Sequence, residues 1–407
     1  MKVIQINSIV NSGSTGRIAE DIGKVLLDNG HQSFIAFGRG NRPSKSQLIK
    51  IGNKWDTYWH GLQTMVFDRH AFASTTATQK LIKEIEILKP DVIGLHNLHG
   101  YYIDIKILFT YLRTTQIPVV WTLFDCWSFT GHCTYFDDID CTKWIQGCFE
   151  CPKKKKYPSS FLIDNSKENY LDKKHLYADF KNLQIVVHSK WLQNIVGQSF
   201  LNEIPIHHIF SGINLEIFKP LSNKKEIVTK YQLANKKIVL GVASTWDKRK
   251  GLNDFIQLSN YLSSDEIIVL IGVNKQQLKL LQLNIVGIER TEDINELAAL
   301  YSAADVFVNP TWQDNFPTTN IEALACGTPV ITYNTGGSPE AIDKETGFVI
   351  EKGNLQGLAE AIGEVFEKGK DHYRNICRQR AEQLFNKNDR YSDYLKLYES
   401  LLIVNGQ

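Results

Sequence analysis

Short apolar runs alternate with helical stripes along most of the chain. Val3–Ile6 reads as a strand, followed by the loop Asn11–Gly16. Ile18, Ile22, Val25 and Leu26 then recur at helical spacing, and Gly30 caps the end of that helix. Further strands are predicted at Phe34–Phe37, Val92–Leu95, Val119–Leu123, Ile185–His188 and His208–Phe210. From Pro220 to Lys237 the chain turns polar. A second series opens at Ile238–Val242 and continues with strands at Ile267–Ile271, Val306–Asn309 and Pro329–Thr332. Ile294, Leu297, Ala298 and Tyr301 form one helical stripe in that half, and Leu355, Leu358, Ala361, Ile362 and Val365 another. The last helix gathers Tyr391, Tyr394, Leu395, Tyr398, Leu401 and Leu402 on one face, which needs an apolar surface to cover.

Alternating strands and helices predict a parallel sheet with helices on both faces. Two such series predict two doubly wound domains facing each other across a cleft, spanning 1–217 and 218–385, with the helix 386–407 returning to the first. Ligands of such sheets bind beyond the carboxyl ends of the strands. A length of 407 residues suits two cores. The net charge of +2 gives no whole-chain case for nucleic-acid binding. No apolar run approaches the ~18 residues of a membrane span. The opening MKVIQINSIV is too short and irregular in its apolar run for an export signal, so the chain is expected in the cytoplasm. An odd count of seven cysteines then favours reduced thiols or metal ligands over a disulfide framework.

The most informative segment is Asn309–Thr332, NPTWQDNFPTTNIEALACGTPVIT. A strand ends near Asn309, a loop carries Asp314, and a helix begins near Thr318 with Glu322 on its second turn. The N–H groups of Thr318, Thr319 and Asn320, with the positive end of the helix dipole, make an anion site. A carboxylate one turn further in suits a ribose diol, and a loop carboxylate suits sugar hydroxyls. A nucleotide diphospho-sugar would present that sequence of groups. The plain alternative is a capped helix with incidental acids.

This segment resembles the signature of retaining GT-B glycosyltransferases of family 4: two acids with seven residues between them, a helix, and a Gly-x-Pro-Val strand. The pair here is Asp314 and Glu322, and Ala325, Gly327, Pro329 and Val330 also fit. The family usually has glutamate first, and aspartate is one methylene shorter. Lys250-Gly251 matches the family's lysine-glycine pair, but Thr245 stands where an arginine is common. Arg249 is the candidate to replace it; either cation could instead belong to a solvated basic turn. The loop Gly13–Arg17 faces the diphosphate and acceptor in the family, which implies contacts at Gly13 and Gly16. Ser211–Asn214 with Phe218 and Pro220 resembles the interdomain entry, and Gly336, Gly337 and Glu340 the last cleft loop. The resemblance implies a donor site that includes Arg249, Lys250, Asn315, Phe316, Pro317, Thr318, Thr319 and Glu322.

His96 and His99 follow one strand, and WTLFDC, Trp121–Cys126, contains the end of the next. Family members usually carry a sugar-contacting histidine where Phe124 stands, just before Asp125. Asp125, His96, His99 and His132 are the candidates to replace it, though lone loop histidines are more often structural. The following stretch resembles a narrower branch, colanic-acid-type polysaccharide-assembly transferases with a cysteine-rich insert, here 126–156. Cys133, Cys141, Cys148 and Cys151 have the count for a tetrahedral structural zinc, with one CxxC knuckle at Cys148–Cys151. Packed thiols and a local disulfide remain the alternatives.

Together these features imply transfer from an NDP-sugar to a glycan or lipid-linked acceptor in surface-polysaccharide assembly, with retention and without a metal in the chemistry. Asp314, Glu322, Lys250 and Asp125 are the expected catalytic set. The lysine run Lys153–Lys156 is expected to hold the chain to the anionic inner face of the membrane. A nucleotide-sugar-binding protein without transfer activity, and a phosphorylase of the same fold, are the other classes compatible with these residues.

Overall fold

A computed structural model describes residues 1–40, 42–221 and 224–404. The chain divides into two compact units, Met1–Phe210 with Asn388–Gln407, and Ser211–Lys387. The first unit therefore ends ahead of the expected boundary at 217, and the polar stretch after Pro220 belongs to the second, where it forms a short helix at Lys225–Lys230.

The first unit is built on β1 (Lys2–Ile9), β2 (Gln32–Arg39), β3 (Gln47–Lys50), β4 (Val92–Leu95), β5 (Val119–Leu123), β6 (Leu183–Val187) and β7 (Ile206–His208). They form one parallel sheet in the order β3-β2-β1-β4-β5-β6-β7. β4 and β5 are buried throughout, as strands covered on both faces must be. Helix α1 (Gly13–Asp28) covers one face with Ile18, Ile22 and Leu26. The C-terminal helix Lys387–Val404 covers the same cluster, placing Tyr391, Tyr394 and Tyr398 against Val3, Val120 and Val186.

The second unit repeats the plan with β8 (Lys237–Val242), β9 (Glu266–Ile271), β10 (Ile285–Ile288), β11 (Val306–Asn309), β12 (Val330–Tyr333) and β13 (Gly347–Ile350). All pairings are parallel, in the order β10-β9-β8-β11-β12-β13. Each sheet thus reverses its winding once, between β1 and β4 in the first and between β8 and β11 in the second. A ligand of a doubly wound sheet usually binds beyond the carboxyl ends of the strands at such a reversal.

Candidate functional site

In the second unit, Lys250 lies beyond β8 and Asp314 beyond β11, the two strands of the switch point. Lys250 Nζ donates to Asp314 Oδ2 at 2.5 Å, and both side chains are mostly buried. Charge-assisted bonds of this kind are short and about twice as strong as neutral ones. Asp247 holds the lysine turn by accepting the Lys250 N–H at 3.0 Å. Gly251 has φ +77°, and a Cβ there would stand 2.3 Å from the Pro310 carbonyl oxygen. Gly336 approaches from the other side: its φ is +55°, and a Cβ would meet the Asp314 carbonyl oxygen at 1.8 Å. Two glycines therefore let three loops close around this ion pair.

The helix Thr318–Ala325 follows, entered through Pro317. Asp314, Thr318 and Thr319 are half-buried, whereas Asn315, Phe316 and Pro317 are buried. Phe316 packs on Phe385. The N–H of Asn320 is not offered to a ligand, because it donates to the Pro317 carbonyl at 3.1 Å. Glu322 is buried, and one carboxylate oxygen accepts the Tyr301 hydroxyl at 2.8 Å. Arg249, the candidate to replace the arginine missing at Thr245, is engaged in the loop itself. Its Nη1 donates to the Gln313 carbonyl at 3.0 Å, and its own carbonyl accepts the Trp312 N–H at 2.7 Å, so it braces the Asp314 loop. Asp254 helps from behind, accepting Trp312 Nε1 at 3.0 Å and the Tyr333 hydroxyl at 2.8 Å.

In the first unit, Gly13 opens α1 just beyond β1, and Gly16 is buried against Ile9. His96 and His99 follow β4, while Phe124 and Asp125 follow β5. His99 Nε2 lies 2.8 Å from Asp125 Oδ2, and its Nδ1 lies 3.0 Å from the Tyr157 hydroxyl. A carboxylate only accepts, so Nε2 carries a proton toward Asp125. Asp125 is oriented in turn by the Trp127 N–H at 2.9 Å. Buried Lys173 fixes the next turn, donating to the carbonyls of Trp127 at 2.7 Å and Thr130 at 3.0 Å. Burial lowers its pKa to about 7.

His96 is enclosed, and burial, with His188 beside it, pushes its pKa down to about 3. Gln5 Nε2 donates to the Ala19 carbonyl at 2.8 Å, so its oxygen accepts from His96 Nε2 at 2.8 Å. The phenyl ring of Phe124 lies near the imidazoles of both His96 and His188. His132 does not join this group. Its Nδ1 sits 2.5 Å from Asp68 Oδ1 with both side chains enclosed, so it anchors the insert. Burial alone would lower its pKa, but the hydrogen bond and charge of Asp68 outweigh that and raise it.

Cys133, Cys141, Cys148 and Cys151 are free thiols that line one small pocket with Phe136 and Trp144. Burial raises the Cys148 pKa to about 11, whereas a hydrogen bond from Cys133 lowers that of Cys151 to about 7. Among the described residues, no three His, Cys, Asp or Glu side chains are placed to hold a metal ion as they stand. The lysine run is also less basic than its sequence: Lys153 is buried, with its Nζ 2.5 Å from Asp138. No helix among the described residues is long and apolar enough to cross a membrane.

Two features of the site leave no signal in the sequence. Tyr157 lies 58 residues from His99 in a turn with no periodic signal. His188, expected at the end of a strand, instead follows β6 and faces Phe124.

The two sheets and their switch points define a GT-B fold, two Rossmann-like α/β units in one chain. Within it, residues 223–384 match the family model described as glycosyl transferases group 1. The chain is 23% identical over 389 residues to WcaC of Escherichia coli K12, covering 88% of this chain and 90% of that one. The name of that relative ties it to colanic acid biosynthesis as a glycosyl transferase. A second relative is the N,N'-diacetylbacillosaminyl-diphospho-undecaprenol alpha-1,3-N-acetylgalactosaminyltransferase of Campylobacter jejuni. It is 30% identical over 202 residues, 47% of this chain and about half (53%) of its own length. Among solved structures, sucrose-phosphate synthase from Thermosynechococcus elongatus superposes with a TM-score of 0.74 at 17% identity, over 99% of this chain and 100% of that one.

Proposed function

We propose that the chain is a retaining glycosyltransferase of family 4. It moves a hexosyl unit from an NDP-sugar to a hydroxyl of a glycan or lipid-linked acceptor in surface-polysaccharide assembly. The observation that carries this is the Lys250–Asp314 pair at the switch point, beside the start of the helix that bears Glu322. The arriving diphosphate replaces Asp314 as the partner of Lys250 Nζ, and Asp314 turns to the sugar hydroxyls. The N–H groups of Thr318 and Thr319 face the phosphates at the positive end of their helix. Glu322 accepts from the ribose diol. As the bond from the anomeric carbon to phosphate oxygen breaks, the acceptor oxygen bonds that carbon from the same face, and its proton passes to the leaving phosphate. Lys250 stabilises the charge that develops there, an electrostatic role of the kind worth most in catalysis.

In the first unit, His99 and Asp125 orient the acceptor hydroxyl. The similarity to transferases named for polysaccharide and lipid-diphosphate substrates supports this choice of acceptor. The test is nucleotide release from UDP-, GDP- and ADP-sugars, with and without lipid-linked acceptor. Donor binding without release in any pairing would leave a binding protein; release that needs free phosphate would leave a phosphorylase.

Cys133, Cys141, Cys148 and Cys151 would hold a structural zinc by drawing their sulfurs inward, with no part in the transfer. Elemental analysis of untagged protein should give one zinc per chain. Metal well below that, with Cys133, Cys141, Cys148 and Cys151 all freely titratable, sinks the assignment.

A further inference from the structure

A helix on a protein surface normally turns its apolar stripe inward and its polar face to water. Helix α2 (Lys54–Phe67) does the reverse. Among the described residues, its buried side chains are His60 and Thr64. His60 Nε2 accepts the Ala71 N–H at 2.9 Å, and Nδ1 is 2.8 Å from the Ser74 hydroxyl. Burial lowers the pKa of His60 to about 3, so a neutral imidazole anchors the helix. The outward face carries Trp55, Tyr58, Trp59, Leu62 and Met65, with Trp55 81% and Trp59 61% exposed.

A neighbouring segment widens the patch. The Phe161 N–H donates to the Met65 carbonyl at 2.9 Å, and Phe161 and Leu162 are both exposed. Ser160 N–H donates to the Lys154 carbonyl at 2.8 Å, which ties the lysine turn to the same place. Lys155 and Lys156 are exposed there.

The chemistry of the patch selects its occupant. Indole and phenol rings among aliphatic chains suit the boundary between headgroups and acyl chains. Ammonium groups beside them suit anionic headgroups, whereas protein interfaces are depleted in lysine. We propose that α2 and the segment 161–162 dock on an anionic phospholipid surface, with the helix lying in the plane of the interface. Tyr157, in the lysine turn, contacts His99, so docking brings the bilayer to the His99–Asp125 pair. Delivery of a lipid-linked acceptor to that pair rests on the transferase reading; the docking itself does not.

The experiment is flotation with vesicles of phosphatidylcholine alone and of phosphatidylcholine with phosphatidylglycerol. The wild-type protein should float with the mixed vesicles. The double substitution Trp55→Ser/Trp59→Ser should weaken binding at least about tenfold. Lys155→Gln/Lys156→Gln should weaken it several-fold and flatten its salt dependence. Both variants should keep the wild-type melting temperature and donor-dependent nucleotide release in solution. Intact flotation by a chain that releases no nucleotide supports docking and counts only against the transferase reading. Wild-type protein that ignores both vesicles, or variants that float equally well, would overturn docking. So would a wild-type dimer in sedimentation velocity that Trp55→Ser/Trp59→Ser dissolves, which would make the face a contact between copies.

Discussion

The two units place polar groups beyond the carboxyl ends of the same kind of sheet, yet with opposite chemistry. The second unit uses full charges, Lys250 on Asp314, held by loops that adjoin their strands. The first uses imidazoles: of the 11 histidines, His372 alone lies in the second unit. His60, His70, His96 and His188 are all driven toward the neutral form, chiefly by burial. A charged pair stays exposed enough to exchange its partner for a ligand. A buried neutral ring contributes shape and a hydrogen bond, and becomes a liability when acid protonates it.

The largest effect that would sharpen this contrast is acid lability confined to the first unit. The folded pKa values of His60, His96 and His188 are about 3, 3 and 4, against 6.5 for the free side chain. Between these limits the unfolded chain binds the proton and the folded one does not. Their stabilisation is therefore complete above the free value and lost as pH falls toward the folded values, at about 1.4 kcal/mol per pH unit for each histidine. Hydrogen exchange at pH 7 and pH 5 should show the first unit losing protection while the second keeps it. Equal losses in both would break the contrast.

Next comes Lys250→Ala, which should lower kcat/KM about a hundredfold, roughly 2.7 kcal/mol. Melting should be little changed, since Lys250 lies in a short turn of the loop after β8. A loss below about threefold would mean that the ion pair serves the fold alone. Glu322→Gln keeps the shape and the contact to Tyr301, so about tenfold is expected, near 1.4 kcal/mol. Its loss should fall on nucleotide affinity, measured by calorimetry with UDP, GDP and ADP; unchanged affinity for all three removes Glu322 from the ribose.

The smallest effect tests the first unit. Phe124→His should shift donor preference a few-fold toward fully hydroxylated hexoses, because the new ring can pair a hydroxyl that phenylalanine leaves unsatisfied. Paired donors that differ by one hydroxyl give the ratio. No change would mean that residue 124 packs against His96 and His188 without touching sugar.

The same contrast explains what was legible beforehand. Asp314, Glu322 and the Gly-x-Pro-Val strand lie within one short stretch, so their spacing carried the second site into the sequence. β1, β4 and β11 announced themselves as apolar runs. β3 (QLIK) is a short, largely exposed edge strand with no buried face to impose a period. β10 (IVGI) and β13 (GFVI) are as short and only partly buried. Tyr157 and His99 meet only through the folded insert, and nothing in the spacing of either betrays the other. Arg249 is legible as a cation, but only the folded loop shows it to be a brace.

The returning C-terminal helix has a consequence for synthesis. Tyr391, Tyr394 and Tyr398 close a cluster whose other members, Val3, Ile18 and Ile22, are made before the second unit. Thr122 shares a hydrogen bond of 3.2 Å with the Tyr394 hydroxyl across the same seam. At ordinary elongation rates the intervening second unit takes on the order of 10–40 s to emerge. Through that interval the nascent first unit carries an open apolar seam beside α1, and the second unit has its whole sequence available to fold before the seam is sealed. The residues translated after the second unit thus complete the core begun before it, so a ribosome that stalls short of Tyr391 leaves a chain with a finished second unit and an unfinished first.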